Sequence, residues 1–357
     1  MASSCPIESV SGSSIATTEN RLTIKTPLRQ PESASPDSLR HRVVGSMGRP
    51  LPTIALTGIY RLQMGRITHF VSASHHMQIS FTRSLLLLLL TLTIPARADG
   101  PFPPHKVVAN VYYVGSNDLA IYLVTTPKGH MLINTGFAET VPLIRASVQA
   151  LGFKMSDIKI ILASHAHSDH VAGHARAREL TGAKVYVMTG DEKVISQGGK
   201  GQYLYTDSRW TPCPVDKILK DGQKVKLGGT TLIARRTPGH TRGCTTWVTT
   251  VKDKGTSRQV VVVGSPNVNP GFQLVKNTSY PEIAGDFATT FRILKSLKCD
   301  YFLGAHGNYY GMHAKYEQFK KGARTSPFID PAGYRNYIEL KEKAYIEKLA
   351  AQKKAAR

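Results

Sequence analysis

The sequence predicts an α/β layered domain, and three observations carry that expectation. Strand-like and helix-like blocks alternate along the chain from about residue 105 onward. They form two strand-rich halves, each followed by helices. Between an apolar strand and a helix lies "ILASHAHSDHVAGH", Ile161 to His174, with four histidines and an aspartate where a sheet holds a loop rigidly for function.

The elements follow in order. "KVVANVYYVG", "LAIYLVTTP" and "HMLIN" are three β-rich runs separated by Gly, Asn, Asp and Pro, which predicts an antiparallel meander. "ETVPLIRASVQALGF" has helical apolar spacing and stops at Gly152, and "IKIILAS" is a short apolar strand that delivers the chain to His165. "VAGHARARELTG" then reads as a helix with Gly182 as its stop. Further on, "KVYVM", "KVKLGGTTLIARR", "CTTWVTTV" and "RQVVVVG" are strands, and "YPEIAGDFATTFRILKSL" is an amphipathic helix.

At 357 residues with 41% apolar content, the chain is long enough to bury a core. Residues 1–76 are rich in Ser, Thr, Pro and Arg and carry no sustained period, so they read as a disordered extension. From Met77 the pattern changes: Arg83, an apolar run from Leu85 to Ile94, and Ala96-Arg97-Ala98 before Asp99. That order is a secretory signal over residues 77–98, and the run is about half the ~20 residues a spanning helix needs. Translation is therefore expected to begin at Met77. Cleavage would release residues 99–357 as one domain to the periplasm or medium, with no stable membrane insertion.

The formal net charge of +22 divides into 10 basic against 4 acidic residues in 1–98 and 36 against 20 in 99–357. These charges are scattered, and the densest run, "EKLAAQKKAAR", lacks aromatics that would stack bases, so it reads as a solvated face and tail and not as a nucleic-acid surface. Cys5, Cys213, Cys244 and Cys299 show no paired spacing, which assigns neither a disulfide nor a thiolate metal site.

The spacing H-x-H-x-D-H carries the chemistry. Alternate residues of an extended loop point the same way, so His165 and His167 can share one metal while Asp169 and His170 turn toward a second. Each metal needs a further donor, and His240 in "RRTPGHTRG" and His306 in "LGAHGNYYG" follow strand-like runs with glycine beside them. Three nitrogens for one metal, and an oxygen with two nitrogens for the other, leave each site open for water. His105, His130, His174 and His313 read as ordinary surface or core histidines.

H-x-H-x-D-H followed by P-G-H-T and G-A-H-G resembles the metallo-β-lactamase superfamily from about Val107 to Tyr345. The resemblance implies an αββα sandwich with two zinc ions at one edge between the sheets. Lactonases, glyoxalase II-like thioesterases, nucleases and β-lactamases share that scaffold, so membership leaves the substrate open. Glyoxalase II-like enzymes and many lactonases supply a bridging Asp after the strand that corresponds to "QVVVVGSPN". Here Gly264-Ser265 stands at that place, and Asp253 and Asp286 lie away from it. With His165 at the first motif position, the pattern is most similar to the third subclass of class B metallo-β-lactamases.

That likeness implies a small-molecule substrate, a β-lactam whose ring is opened by a zinc-activated hydroxide. The His165, His167 and His240 metal would polarise the carbonyl. The metal of Asp169, His170 and His306 would meet the substrate carboxylate and the departing nitrogen, with Asp169 as proton relay. Ser265 would hold a water or that carboxylate, and Asn267 would touch substrate. The alternative reading is a lactonase or phosphodiesterase on the same metals, and oligomeric state stays open. A covalent route is not expected, since "VVGSPN" lacks the G-x-S-x-G elbow. Two positions depart from the family: Asn134 in "LINTG" replaces the usual Asp, and Tyr334 stands where Cys299 would find a disulfide partner.

Overall fold

The computed structural model describes residues 99–357, and the expected extension 1–76 and signal 77–98 lie outside the described residues. The first expected run, "KVVANVYYVG", is two strands: β1 (His105–Val108) turns at Ala109, which takes a positive φ of 46°, into β2 (Val111–Tyr113). β3 (Tyr122–Val124) and β4 (His130–Ile133) complete the antiparallel meander. The remaining strands of this sheet are added in parallel: β5 (Ile158–Leu162), β6 (Lys184–Met188) and β7 (Lys217–Leu219).

Helices cover its outer face. α1 (Val141–Ala150) buries Val141, Ile144 and Val148, one side of a helical period, and the chain leaves it through Gly152 at φ 82°. After β5 come the short α2 (Ser168–Val171) and α3 (His174–Thr181), which ends on left-handed Gly182 as expected. α4 (Glu192–Ser196) follows β6. The sheet is buried on both faces: in β4, Met131 and Ile133 face the central core while Leu132 joins the outer layer with Ile144 and Val148.

The second sheet has the order β12-β11-β10-β9-β8. β8 (Lys224–Leu227), β9 (Thr230–Arg236), β10 (Thr245–Asp253) and β11 (Thr256–Val263) pair antiparallel, and β12 (Tyr301–Gly304) lies parallel to β11. Its outer cover is α5 (Ile283–Ser296), a short α6 (Met312–Lys320) and a long α7 (Pro331–Ala355). The layers are helix, sheet, sheet, helix, which is the αββα sandwich.

Trp247 of β10 is 1% exposed in the core, where burying a side chain of this kind contributes roughly 3 kcal/mol. Its indole N–H donates to the Ala163 carbonyl at 3.0 Å and so ties the second sheet to the segment entering the histidine loop. Ala120 N–H to Ala305 O (3.0 Å) and Thr245 N–H to Ser164 O (2.7 Å) bind the sheets at the same edge. Cys213, Cys244 and Cys299 are buried free thiols. Where a bridge to Cys299 is lacking, Tyr334 is buried, packs edge-on to Phe302 and donates its hydroxyl to Leu294 O at 2.7 Å. Among the described residues no helix is long and apolar enough to cross a membrane.

Candidate metal centre

Strand ends from both sheets meet where these ties lie. Beyond β5 the chain bends through the loop to His167, itself extended (φ −107°, ψ 154°), and then enters α2, so His165 and His167 come from the loop and Asp169 and His170 from a helical turn. His240 follows β9 through Gly239, whose φ of 121° suits glycine and where a Cβ would press to 2.7 Å of the Phe287 ring. His306 follows β12 directly, in extended conformation.

The ligand atoms of His165, His167 and His240 all lie within 4.8 Å of one another, and the three rings stand 4.7 to 4.9 Å apart, centroid to centroid. His165 is also within that reach of Asp169 and His170, so it borders both groups. The second triad is tighter. His170 Nε2 is 3.1 Å from His306 Nε2 and 3.2 Å from Asp169 Oδ2, and His306 Nε2 is 3.5 Å from the same oxygen. Donors about 2.0–2.1 Å from a tetrahedral zinc stand roughly 3.3 Å apart, so this triad has the edge lengths of a zinc site.

The electrostatics agree with metal ligation. Burial, then the neighbouring imidazoles, holds His165 well below the ordinary 6.5, and His167 is lowered in the same way. Burial lowers His240 to about 4 despite its bond to Asn267 O. These rings are neutral with lone pairs free, the state in which imidazole binds a metal. Burial alone would raise the Asp169 carboxyl, but His170 and then His306 outweigh it and keep Asp169 ionised. Each triad supplies three donors, one short of a closed tetrahedral site, which leaves a position for substrate or water.

Residues that the sequence did not single out orient these ligands. Asp118 accepts from His306 Nδ1 at 2.8 Å, which turns Nε2 toward the centre. Asp191 joins two ligand loops: its Oδ2 accepts from Ala166 N–H and the Thr241 hydroxyl, its Oδ1 from Gly243 N–H. Both are far in sequence from the groups that they bind. Asn134 sits beside the centre as expected, with its Nδ2 3.4 Å from His170 Nδ1.

The triads open into a cleft of about 490 Å³ rimmed by Phe137 and Tyr205 and lined by Asn267 and Tyr309. The Tyr309 hydroxyl receives a bond from Asn267 Nδ2 at 2.9 Å and lies 3.0 Å from Ser265 Oγ. Ser265 is fully buried behind Tyr309 and is not part of the cleft wall. Asn267 also reaches the centre through its backbone, whose carbonyl accepts from His240 Nδ1 at 2.8 Å. Asp253 and Asp286 accept from Tyr301 and Tyr280 and take no part in the centre.

A two-sheet scaffold that gathers five histidines and one aspartate into two open triads defines a metallohydrolase centre. Comparison with known proteins narrows this. The metallo-β-lactamase superfamily profile matches residues 119–253. FEZ-1 metallo-β-lactamase from Legionella gormanii is 46% identical, with a TM-score of 0.71, over 72% of this chain and 99% of that one. The class B3 di-zinc metallo-β-lactamase LRA-12 from an Alaskan soil metagenome is 33% identical, with a TM-score of 0.68, over 71% of this chain and 97% of that one. A curated metal-dependent hydrolase of Cupriavidus necator is 28% identical over 141 residues, and the chain spans only 44% of its length. The chain belongs to the metallo-β-lactamase superfamily, and its structural neighbours include class B3 enzymes.

Proposed function

We propose that the protein is a di-zinc β-lactam hydrolase that opens the lactam ring of penicillins, cephalosporins and carbapenems. The observation that carries this is the meeting of the two open triads at the floor of one cleft, on a chain 46% identical to a β-lactamase across nearly all of that enzyme. Zinc at these donors supplies Lewis acidity, which polarises a carbonyl and makes water acidic enough to ionise near neutral pH. The chain's own residues do the rest. Asp118 and the Asn267 carbonyl fix the rings of His306 and His240. Asp169, ionised and at the cleft wall, is placed to accept a proton and pass it to the amide nitrogen as the ring opens.

Phe137 and Tyr205, each about 40% exposed at the rim, offer apolar surface to the body of the substrate. The hydrogen-bonded Asn267–Tyr309 pair also lines the cleft. Ser265 acts behind this wall by holding Tyr309, in place of direct contact with substrate. The expected signal beginning at Met77 supports export to the periplasm, where a β-lactam would be met.

The test is hydrolysis of a chromogenic cephalosporin and of a carbapenem by the purified protein, before and after chelation and with zinc restored. Turnover that disappears with chelator and returns with zinc is the expected result. A protein that binds two zinc ions per chain and turns over neither compound would overturn the substrate assignment and direct the search to lactones and phosphodiesters.

A further inference from the structure

We propose that Asn134 makes the Asp169–His170–His306 triad the weaker of the two metal sites, so that the centre loads in sequence, with the His165–His167–His240 triad first. The inference rests on the reading of the six donors as a two-zinc site. Its basis is the hydrogen-bond partner at the outward nitrogen of each ligand.

A histidine that binds a metal through Nε2 carries its proton on Nδ1 and needs an acceptor there. His240 has the Asn267 carbonyl at 2.8 Å, His306 has the Asp118 carboxylate at 2.8 Å, and His165 has the Ser164 hydroxyl at 3.2 Å. His170 differs. Its Nδ1 faces Asn134 Nδ2, an amide donor, at 3.4 Å. The orientation of that amide is not free. Asn134 Oδ1 accepts from the Ser164 backbone N–H at 2.8 Å, and Nδ2 donates to the Ala120 carbonyl at 3.3 Å. Flipping the amide would set donor against donor at Ser164 and acceptor against acceptor at Ala120, in a residue with no exposure to water.

The network therefore favours a His170 with its lone pair on Nδ1 and its proton on Nε2. That proton has acceptors in Asp169 Oδ2 at 3.2 Å and His306 Nε2 at 3.1 Å, so the metal-free arrangement is satisfied throughout. A metal at His170 Nε2 requires the proton to move to Nδ1, where it meets the amide N–H with no acceptor. Partners that orient ligands commonly change metal affinity by about 10- to 100-fold, which sets the expected handicap. Aspartate at this position would offer an oxygen to each of Ser164 N–H and His170 Nδ1–H. The backbone accepts the change, since Asn134 has a φ of 67°, a conformation Asn and Asp both tolerate.

Two measurements test this. Zinc is titrated into chelator-stripped protein against a chromophoric competitor, with bound ions counted by native mass spectrometry and the imidazole nitrogens followed by ¹⁵N–¹H NMR. Wild type should show two affinities at least about tenfold apart, with the His240 signals moving at the first equivalent and those of His306 at the second. Asn134→Asp should tighten the second step by about 10- to 100-fold and leave the first unchanged. The variant also loses the bond to Ala120 and could fail to fold, so the second measurement is made on wild type alone. Before metal is added, His170 should be protonated on Nε2 while His240 and His306 are protonated on Nδ1. Equal affinities in wild type, a second step unmoved by Asn134→Asp, or His170 protonated on Nδ1 without metal would each overturn the inference. Two ions bound equally with rapid β-lactam turnover would sink it and leave the proposed function standing, whereas a chain that binds no zinc would sink both.

Discussion

Asp191 is 2% exposed beneath the histidine loop and holds three donors from two separate ligand segments. Gly243 is required beside it, because a Cβ there would come within 2.7 Å of the carboxylate side chain. Burial raises its carboxyl to about 6, and the bonds from Thr241, Gly243 and Ala166 offset only part of that rise. The sign of the pH effect follows. The unfolded chain loses this proton near 3.8 and the folded one near 6, so between those values the folded state binds more protons. This group's contribution to stability therefore falls as pH rises from about 4 to about 6 and is level above. Asp191→Asn removes the titration and sets an amide N–H against a donor, so it should lower Tm at every pH. The Tm of wild type minus that of the variant, measured in chelator, should grow as pH drops from 6 to 4. A flat difference, or one that shrinks, contradicts the assignment. Asp191 and Asp118 were not legible in the sequence because their partners lie 25 to 52 and 188 residues away, and no local spacing marks such pairs. The clustering of the six donors was legible because four stand in one motif and the other two follow strand-like runs next to glycine.

The C-terminal basic run is solvated as expected, with Lys353, Lys354 and Arg357 exposed, but it is helical and ends the 25-residue α7. Asp330 caps this helix by accepting from Gly333 N–H at 2.8 Å, and Pro331 starts it. Its apolar period is thin, since only Tyr334, Ile338 and Tyr345 are buried, which is why composition outweighed pattern in the sequence. The helix nevertheless braces the loop beside the metal centre. Gln352 accepts from Leu274 N–H at 2.6 Å and donates to Phe272 O at 2.8 Å, and Lys348 donates to Asn269 O at 2.7 Å. Phe272 in turn stacks on His240 with centroids 5.8 Å apart. Gln352→Ala leaves a buried amide and carbonyl without partners, a loss of about 1–3 kcal/mol. It should lower Tm by several degrees and raise KM for a cephalosporin several-fold, because the loop carries Asn267 and Asn269 of the cleft lining. Steady-state kinetics and a thermal melt of the variant check this. An unchanged KM would show that the loop keeps its place without the helix.

At the scale of the whole described domain, the centre lies at the edge where hydrogen bonds such as Trp247 to Ala163 and Thr245 to Ser164 also tie the two sheets. Ligands from beyond β5 belong to one sheet, and His240 and His306 follow strands of the other. The layered order of strands and helices was readable from periodicity, and the division of "KVVANVYYVG" into two strands was not, because the turn rests on a positive φ at Ala109 that its residue type does not announce. Binding across the two sheets has a thermodynamic consequence. A metal that binds the folded chain and not the unfolded one adds RT ln(1 + [L]/Kd), about 4 kcal/mol when free zinc is 1,000 times Kd. For a domain of this size each kcal/mol corresponds to roughly 2–4 °C, so saturating one site should raise Tm by about 8–16 °C. Scanning calorimetry with zinc and with excess chelator should show that difference, reversed on adding zinc back. Asp118→Asn removes the charge and sets its amide N–H against either the His306 Nδ1–H or the Asn308 N–H, so it should shrink the zinc-dependent rise. A rise that stays the same in that variant would mean that Asp118 has no part in holding the metal. No zinc-dependent rise in either protein would mean that the donors are not a metal centre linking the sheets.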